Sequence, residues 1–167
     1  MFGIVVVSLM IGFALILMLK RTTASIPREK DYYAESDPAD DKLKSLGMNQ
    51  FEGVCRRLLT EWGLVIKTCS RLSPQEIEFV AQDPKPIVGG DFIVYGRLVT
   101  DGEVIETSQV MALSDVVRSE KASKGVFITT GFFSADTAQM LEGAPLELIN
   151  ARRLRELLST YHLLHLV

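Results

Sequence analysis

Cysteine and histidine are both scarce in this chain of 167 residues, with two of each, and neither is clustered. No CxxC pair and no Cys/His group occurs, so neither a structural zinc site nor a disulfide framework is indicated. Strong net charge is also absent. A balance of −3 gives no general pull toward nucleic acid, although it leaves room for local patches. No internal repeat or low-complexity run is present, which excludes solenoids and fibrous classes. The length allows one anchoring segment and one compact domain.

The most telling absence is of charge in residues 1–19, which are almost wholly apolar. At about 1.5 Å per residue such a run is close to the roughly 30 Å of a bilayer core, so residues 1–21 are expected to form one transmembrane helix. A cleaved signal peptide would need a charged start, a shorter apolar core and a small-residue cleavage site, none of which is evident. A buried core helix would rarely be apolar on every face. Lys20, Arg21, Arg28 and Lys30 all follow the run and no charge precedes it. The positive-inside rule therefore places the rest of the chain on the cytoplasmic side of the inner membrane of a bacterium-like cell. The lipid bilayer is thus the first expected partner.

Residues 22–42 form a polar tether with Pro27 and Pro38, basic at its start and acidic after Asp31. The globular part is expected over 43–167. "NQFEGVCRRLLTEWG" places Phe51, Val54, Cys55, Leu58, Leu59 and Trp62 at helical spacing, with Asn49 and Glu52 as a capping box and Gly63 as the stop. "LVIKTC" reads as a strand. "SPQE" resembles a second helix cap, yet "EIEFVAQ" alternates as a strand does, and both readings stand. "DFIVYGRLV" and "EVIETSQVMAL" read as strands joined at Thr100-Asp101-Gly102.

From there helices and strands alternate. A helix is expected over 114–122, a strand at "GVFITT", a helix at "SADTAQMLEG" capped by Ser134, a strand at "PLELI", and a last helix from Asn150. Hairpin strands followed by alternating units predict an α/β fold, a mixed sheet flanked by helices.

The opening "NQFEGVCRRLLTEWG", the strand "GGDFIVYG", the segment "KGVFITTGFFSADTAQML" and the closing "PLELINARRLRELL" together resemble the Mrr family of restriction-endonuclease-like domains, within the PD-(D/E)xK nucleases. The resemblance covers most of 49–158 and is weakest between Thr68 and Gly89. It implies metal-assisted phosphodiester hydrolysis, in which two acids on neighbouring strands hold a divalent cation such as magnesium and a nearby lysine assists. Carried over by position, Asp91 matches the first acidic ligand, Glu106 the acid of the second strand, and Glu52 the acid of the first helix. Asp91 and Glu106 would hold the metal.

In "VIETSQV", read as a strand, Glu106 and Ser108 share one face. Ser108 stands where the resemblance requires lysine, and a hydroxyl cannot supply an ammonium's charge. Arg97, Arg118 and Lys121 are the cations that could take over. Two functions follow. One is a catalytically degenerate binding or accessory module of a membrane-associated complex; the other is an active magnesium-dependent DNA endonuclease working near the membrane. His162 and His165 lie three apart but lack an acidic or cysteine neighbour, and Arg152, Arg153 and Arg155 suit a solvated helix face.

Overall fold

The computed structural model describes residues 43, 45–86, 89–99, 103–134, 136–137 and 143–167. The expected transmembrane helix and tether, residues 1–42, lie outside the described residues, as does most of the helix expected after Ser134. Among the described residues no helix is long and apolar enough to cross a membrane.

Helix α1 spans Met48–Glu61 and buries Phe51, Val54, Cys55, Leu58 and Leu59, the face expected from their spacing. Its cap differs from expectation. Gly47 is the N-cap, and its N–H donates to Gln50 Oε1 at 3.0 Å, so Asn49 and Glu52 already lie inside the helix. Their side chains are thereby freed for other partners. The chain then forms β1 (Val65–Ser73) and β2 (Glu76–Asp83), an antiparallel hairpin. The strand reading of "EIEFVAQ" holds and the "SPQE" helix does not. Ile77, Phe79 and Ala81 are fully buried, and that period of two outweighs the local cap signal.

Strand β3 (Gly90–Arg97) pairs antiparallel with β2. It also pairs in parallel with β5 (Lys124–Thr129), which pairs in parallel with β7 (Leu146–Ile149). The sheet order is β1-β2-β3-β5-β7. A second, two-stranded ladder joins β4 (Val104–Ile105) to β6 (Phe132–Phe133) in parallel. Between β4 and β5 lies α2 (Thr107–Ser119), and α3 (Ala151–Thr160) closes the domain. Asn150 caps α3 as expected, its Oδ1 accepting from Arg153 N at 2.9 Å. The mixed sheet flanked by helices is thus observed.

Each face of the sheet has its own core. On one, α1 and α3 pack Phe51, Leu58, Leu154 and Leu158 against Ile77, Phe79, Val94, Val126 and Ile128. On the other, α2 packs Val110, Leu113 and Val117 against Ile93 and Phe127, with Val99, Ile105 and Phe133 completing the cluster. Phe127 meets Tyr95 at 4.9 Å and Phe133 edge-on at 5.4 Å between ring centres.

Gly96 lets α1 approach the sheet: a Cβ there would stand 2.7 Å from Ile77 Cγ2 and 3.1 Å from the Phe51 ring. These neighbours are fully buried and have little room to move. Gly96→Ala is expected to lower stability by about 1–3 kcal/mol, as overpacking does, in urea unfolding followed by circular dichroism. Unchanged stability would mean that the α1 packing is looser than described.

Candidate functional site

The residues singled out from the sequence do not converge. Asp91 sits near the start of β3, exposed, with its Oδ1 2.7 Å from Lys67 Nζ of β1. Its backbone carbonyl accepts from Ser123 N at 2.8 Å, just before β5, so it marks the N-terminal edge of the parallel strands. Glu106 lies at the other edge, after β4, whose partner β6 follows the end of β5. Asp91 to Arg97 alone is six residues of strand, roughly 20 Å. The structure therefore does not bring Asp91 and Glu106 together as a pair of metal ligands.

The strand expected across "VIETSQV" stops after Ile105. Glu106 is the exposed N-cap of α2, its N–H donating to Gln109 Oε1 at 3.0 Å, and Ser108 lies exposed in the first helical turn. In a helix two residues so spaced do not share a face. The overlooked signal is Val110, Leu113, Ser114 and Val117, a 3-1-3 spacing that buries one helix face.

Glu52 belongs to a brace between α1 and β1. Arg71 Nη2 lies 2.7 Å and Arg71 Nε 3.0 Å from Glu52 Oε2, while Arg56 Nε reaches Oε1 at 2.9 Å. Arg71 also donates to Asn49 Oδ1 at 2.6 Å. The hydrogen bonds from Arg71, and then from Arg56, hold the Glu52 carboxyl below its usual value. This brace lies on the α1 side of the sheet, since Arg71 stands opposite the buried Ile77.

A different set does converge, on the opposite side. Glu76 opens β2 and stands in register with Arg97, the last residue of β3; Glu78 stands in register with Tyr95. Arg97 Nη1 donates to Glu76 Oε1 at 2.8 Å and Nη2 to Glu103 Oε1 at 2.6 Å. The arginine side chain is only 15% exposed, and its buried Nε has no hydrogen-bond partner among the described residues. Burial first, and then the neighbouring Glu76 carboxylate, push the Tyr95 phenol above its ordinary value. On β5 the register partner of Arg97 is the buried Thr129, whose hydroxyl accepts from Gly131 N at 3.0 Å. Thr130 Oγ1 in turn accepts from Val99 N at 2.8 Å. The "TTG" turn thus ties the ends of β3 and β5 together beside this cluster.

Glu76 and Glu78 were legible in principle as the polar alternates of Ile77 and Phe79. Arg97 was among the cations noted from the sequence. Arg118 and Lys121, noted with it, are exposed at the end of α2.

The chemistry of the cluster is that of neighbouring strands bearing acids and one cation. Its donor set suits a divalent metal poorly. Such an ion needs several hard oxygen ligands, and both Glu76 and Glu103 are committed to a guanidinium that does not deprotonate. Among the described residues no group of three or more His, Cys, Asp or Glu side chains is placed to hold a metal ion.

The Restriction endonuclease family model, Mrr_cat, matches residues 43–158. The chain belongs to that family. Two solved structures share the fold. The DNA modification-dependent restriction endonuclease AspBHI superposes with a TM-score of 0.56 at 15% identity, over 84% of this chain and 39% of its own. The MspJI restriction endonuclease, solved in complex with a 27-mer oligonucleotide, gives 0.51 at 16% identity, over 81% of this chain and 34% of its own. The chain therefore spans well under half of either protein. No curated protein shows significant similarity to it.

Two outcomes check the site. Arg97→Ala leaves Glu76 and Glu103 without their shared partner and is expected to cost about 2 kcal/mol in urea unfolding at neutral pH; no change would show that the clamp does not form. For Glu52 the folded carboxyl titrates below its usual value of 4.5. Its contribution is therefore present above that pH and lost as pH falls through the folded value. Glu52→Gln is expected to destabilise at pH 7 and to match wild type in strong acid, as read from unfolding midpoints across pH.

Proposed function

We propose that this Mrr-family domain serves as a binding or accessory module held at the inner membrane by residues 1–21, with the position of its nuclease chemistry taken up by the Arg97 clamp. One observation carries the reading: Arg97 bridges Glu76 and Glu103, on and beside neighbouring strands, so the acids that converge at this end of the sheet are already held by a cation. A guanidinium shared by two carboxylates leaves one negative charge in excess, and each carboxylate is already committed to it through one oxygen. The membrane part of the reading rests on the uncharged residues 1–19 and the basic residues after them.

DNA is a plausible partner of this module, supported by the fold it shares with a restriction endonuclease solved with an oligonucleotide. A protein partner in a membrane complex is the other class of occupant, favoured by the balanced charge of the chain. The competing reading is an active endonuclease in which magnesium displaces Arg97 from Glu76.

The full chain in mild detergent, incubated with supercoiled plasmid and magnesium or manganese, is expected to leave the plasmid intact. Ser108→Lys is expected to change nothing, because that position lies on the first turn of α2. Metal-dependent nicking that Glu76→Gln abolishes would overturn the binding-only reading. Duplex binding that weakens steeply with salt would support nucleic acid as the partner, and its absence at low salt would remove it.

A further inference from the structure

The Arg97 clamp holds Glu76 and Glu103 but leaves Glu78 open. Glu78 is half-buried on β2, and among the described residues it makes no ion pair and no side-chain hydrogen bond. By the alternation of β2 it shares a face with Glu76, away from the buried Ile77 and Phe79. An acid in that place would help to hold a divalent cation if the neighbouring strand supplied a further oxygen.

Strand β3 supplies something else. Directly opposite Glu78 stands Tyr95, and opposite Glu76 stands Arg97. Facing residues of paired strands lie about 5 Å apart and alternate residues of one strand about 7 Å, so Glu76, Glu78, Tyr95 and Arg97 form one compact rectangle on this face of the sheet.

Both corners that β3 contributes are unsuited to a metal. Arg97 brings positive charge. Tyr95 brings a phenol that burial, and then the Glu76 carboxylate, keep protonated, so its oxygen is neutral. The ring lies 4.9 Å from that of Phe127 between centres and packs against the core beneath α2, which holds it in place.

We propose that Tyr95 is a second determinant of metal exclusion, distinct from the charge pairing of Arg97: it fills the β3 position from which an oxygen ligand would complete a site with Glu78. This role rests on the reading of the Arg97 clamp given above and extends it to the acid that the clamp leaves open. Freeing the carboxylates is then half of what metal binding needs, and an oxygen ligand at position 95 is the other half.

Manganese binding to the full chain in mild detergent, followed by electron paramagnetic resonance, tests this with variants first checked for folding by circular dichroism. Tyr95→Glu added to Arg97→Gln is expected to tighten the site of Arg97→Gln roughly tenfold, since each added carboxylate raises affinity for a hard cation. Glu78→Gln added to that pair is expected to remove the gain. Tyr95→Phe added to Arg97→Gln keeps the ring and is expected to bind no tighter than Arg97→Gln. If the buried charge of Tyr95→Glu unfolds the chain, Tyr95→Gln takes its place and is expected to tighten binding about threefold through its neutral amide oxygen. Equal affinity of Arg97→Gln with and without the folded Tyr95→Glu or Tyr95→Gln change, or a gain that survives Glu78→Gln, would overturn the role of Tyr95 and leave the Arg97 reading standing. No binding by any chain carrying Arg97→Gln would overturn that reading, and the role of Tyr95 with it.

Discussion

The unbroken pairing of β2 with β3, eight residue pairs from Glu76↔Arg97 to Asp83↔Gly90, is the constraint on which the rest depends. Because strand side chains alternate, this register sends Ile77, Phe79 and Ala81 to the α1 side and Glu76, Glu78 and Val80 to the other. A slip of one residue would exchange the two sets. The same register sets Gly96 beneath Phe51, where only a hydrogen fits, and sets Arg97 opposite Glu76. Core and charged cluster are thus two sides of one alignment. Strand β3 also starts the parallel half of the sheet, so β5, β7 and α2 inherit their placement from it.

The electrostatics follow from that geometry. Arg97 is largely buried at the end of β3, and an arginine there needs anionic partners. Glu76 comes from the neighbouring strand and Glu103 from just before β4, so the guanidinium ties the start of β4 to the sheet. Tyr95 stands in register with Glu78 beside the cluster, where burial and the Glu76 carboxylate hold its phenol protonated. The product is a set of acids and a cation satisfied by one another, which is a poor starting point for metal chemistry and a good one for rigidity. The Glu52 brace performs the same service for the edge strand β1 on the opposite side of the sheet.

Much of the fold was legible in the sequence, and the reasons are specific. The apolar face of α1, the strand at β3 and the family resemblance over 49–158 agree with the structure, because each rests on an extended signal, and the cap at Asn150 agrees through local chemistry; the alternation in β2 competes in the sequence with a helix-cap pattern, and only burial decides for the strand. The site was less legible. "VIETSQV" begins as strand and becomes helix within three residues, and a period of two over Val104, Glu106 and Ser108 masked the helical spacing that starts at Val110. Asp91 follows two glycines and sits in a strand, yet its register places it opposite Gln82 and near Lys67, not near Glu106. No local pattern reveals that, since it depends on which strands become neighbours. Glu76 and Glu78 fell in the region where the resemblance is weakest, and their role emerges only from their pairing with Arg97 and Tyr95.

The central claim is that Arg97 occupies the carboxylates a metal would need. Manganese binding to the full chain, followed by electron paramagnetic resonance, tests it most directly when wild type is compared with Arg97→Gln. The account predicts no specific binding by wild type and a gained site in Arg97→Gln that Glu76→Gln then removes. One tightly bound manganese in the wild-type chain, lost on Glu76→Gln, would contradict it.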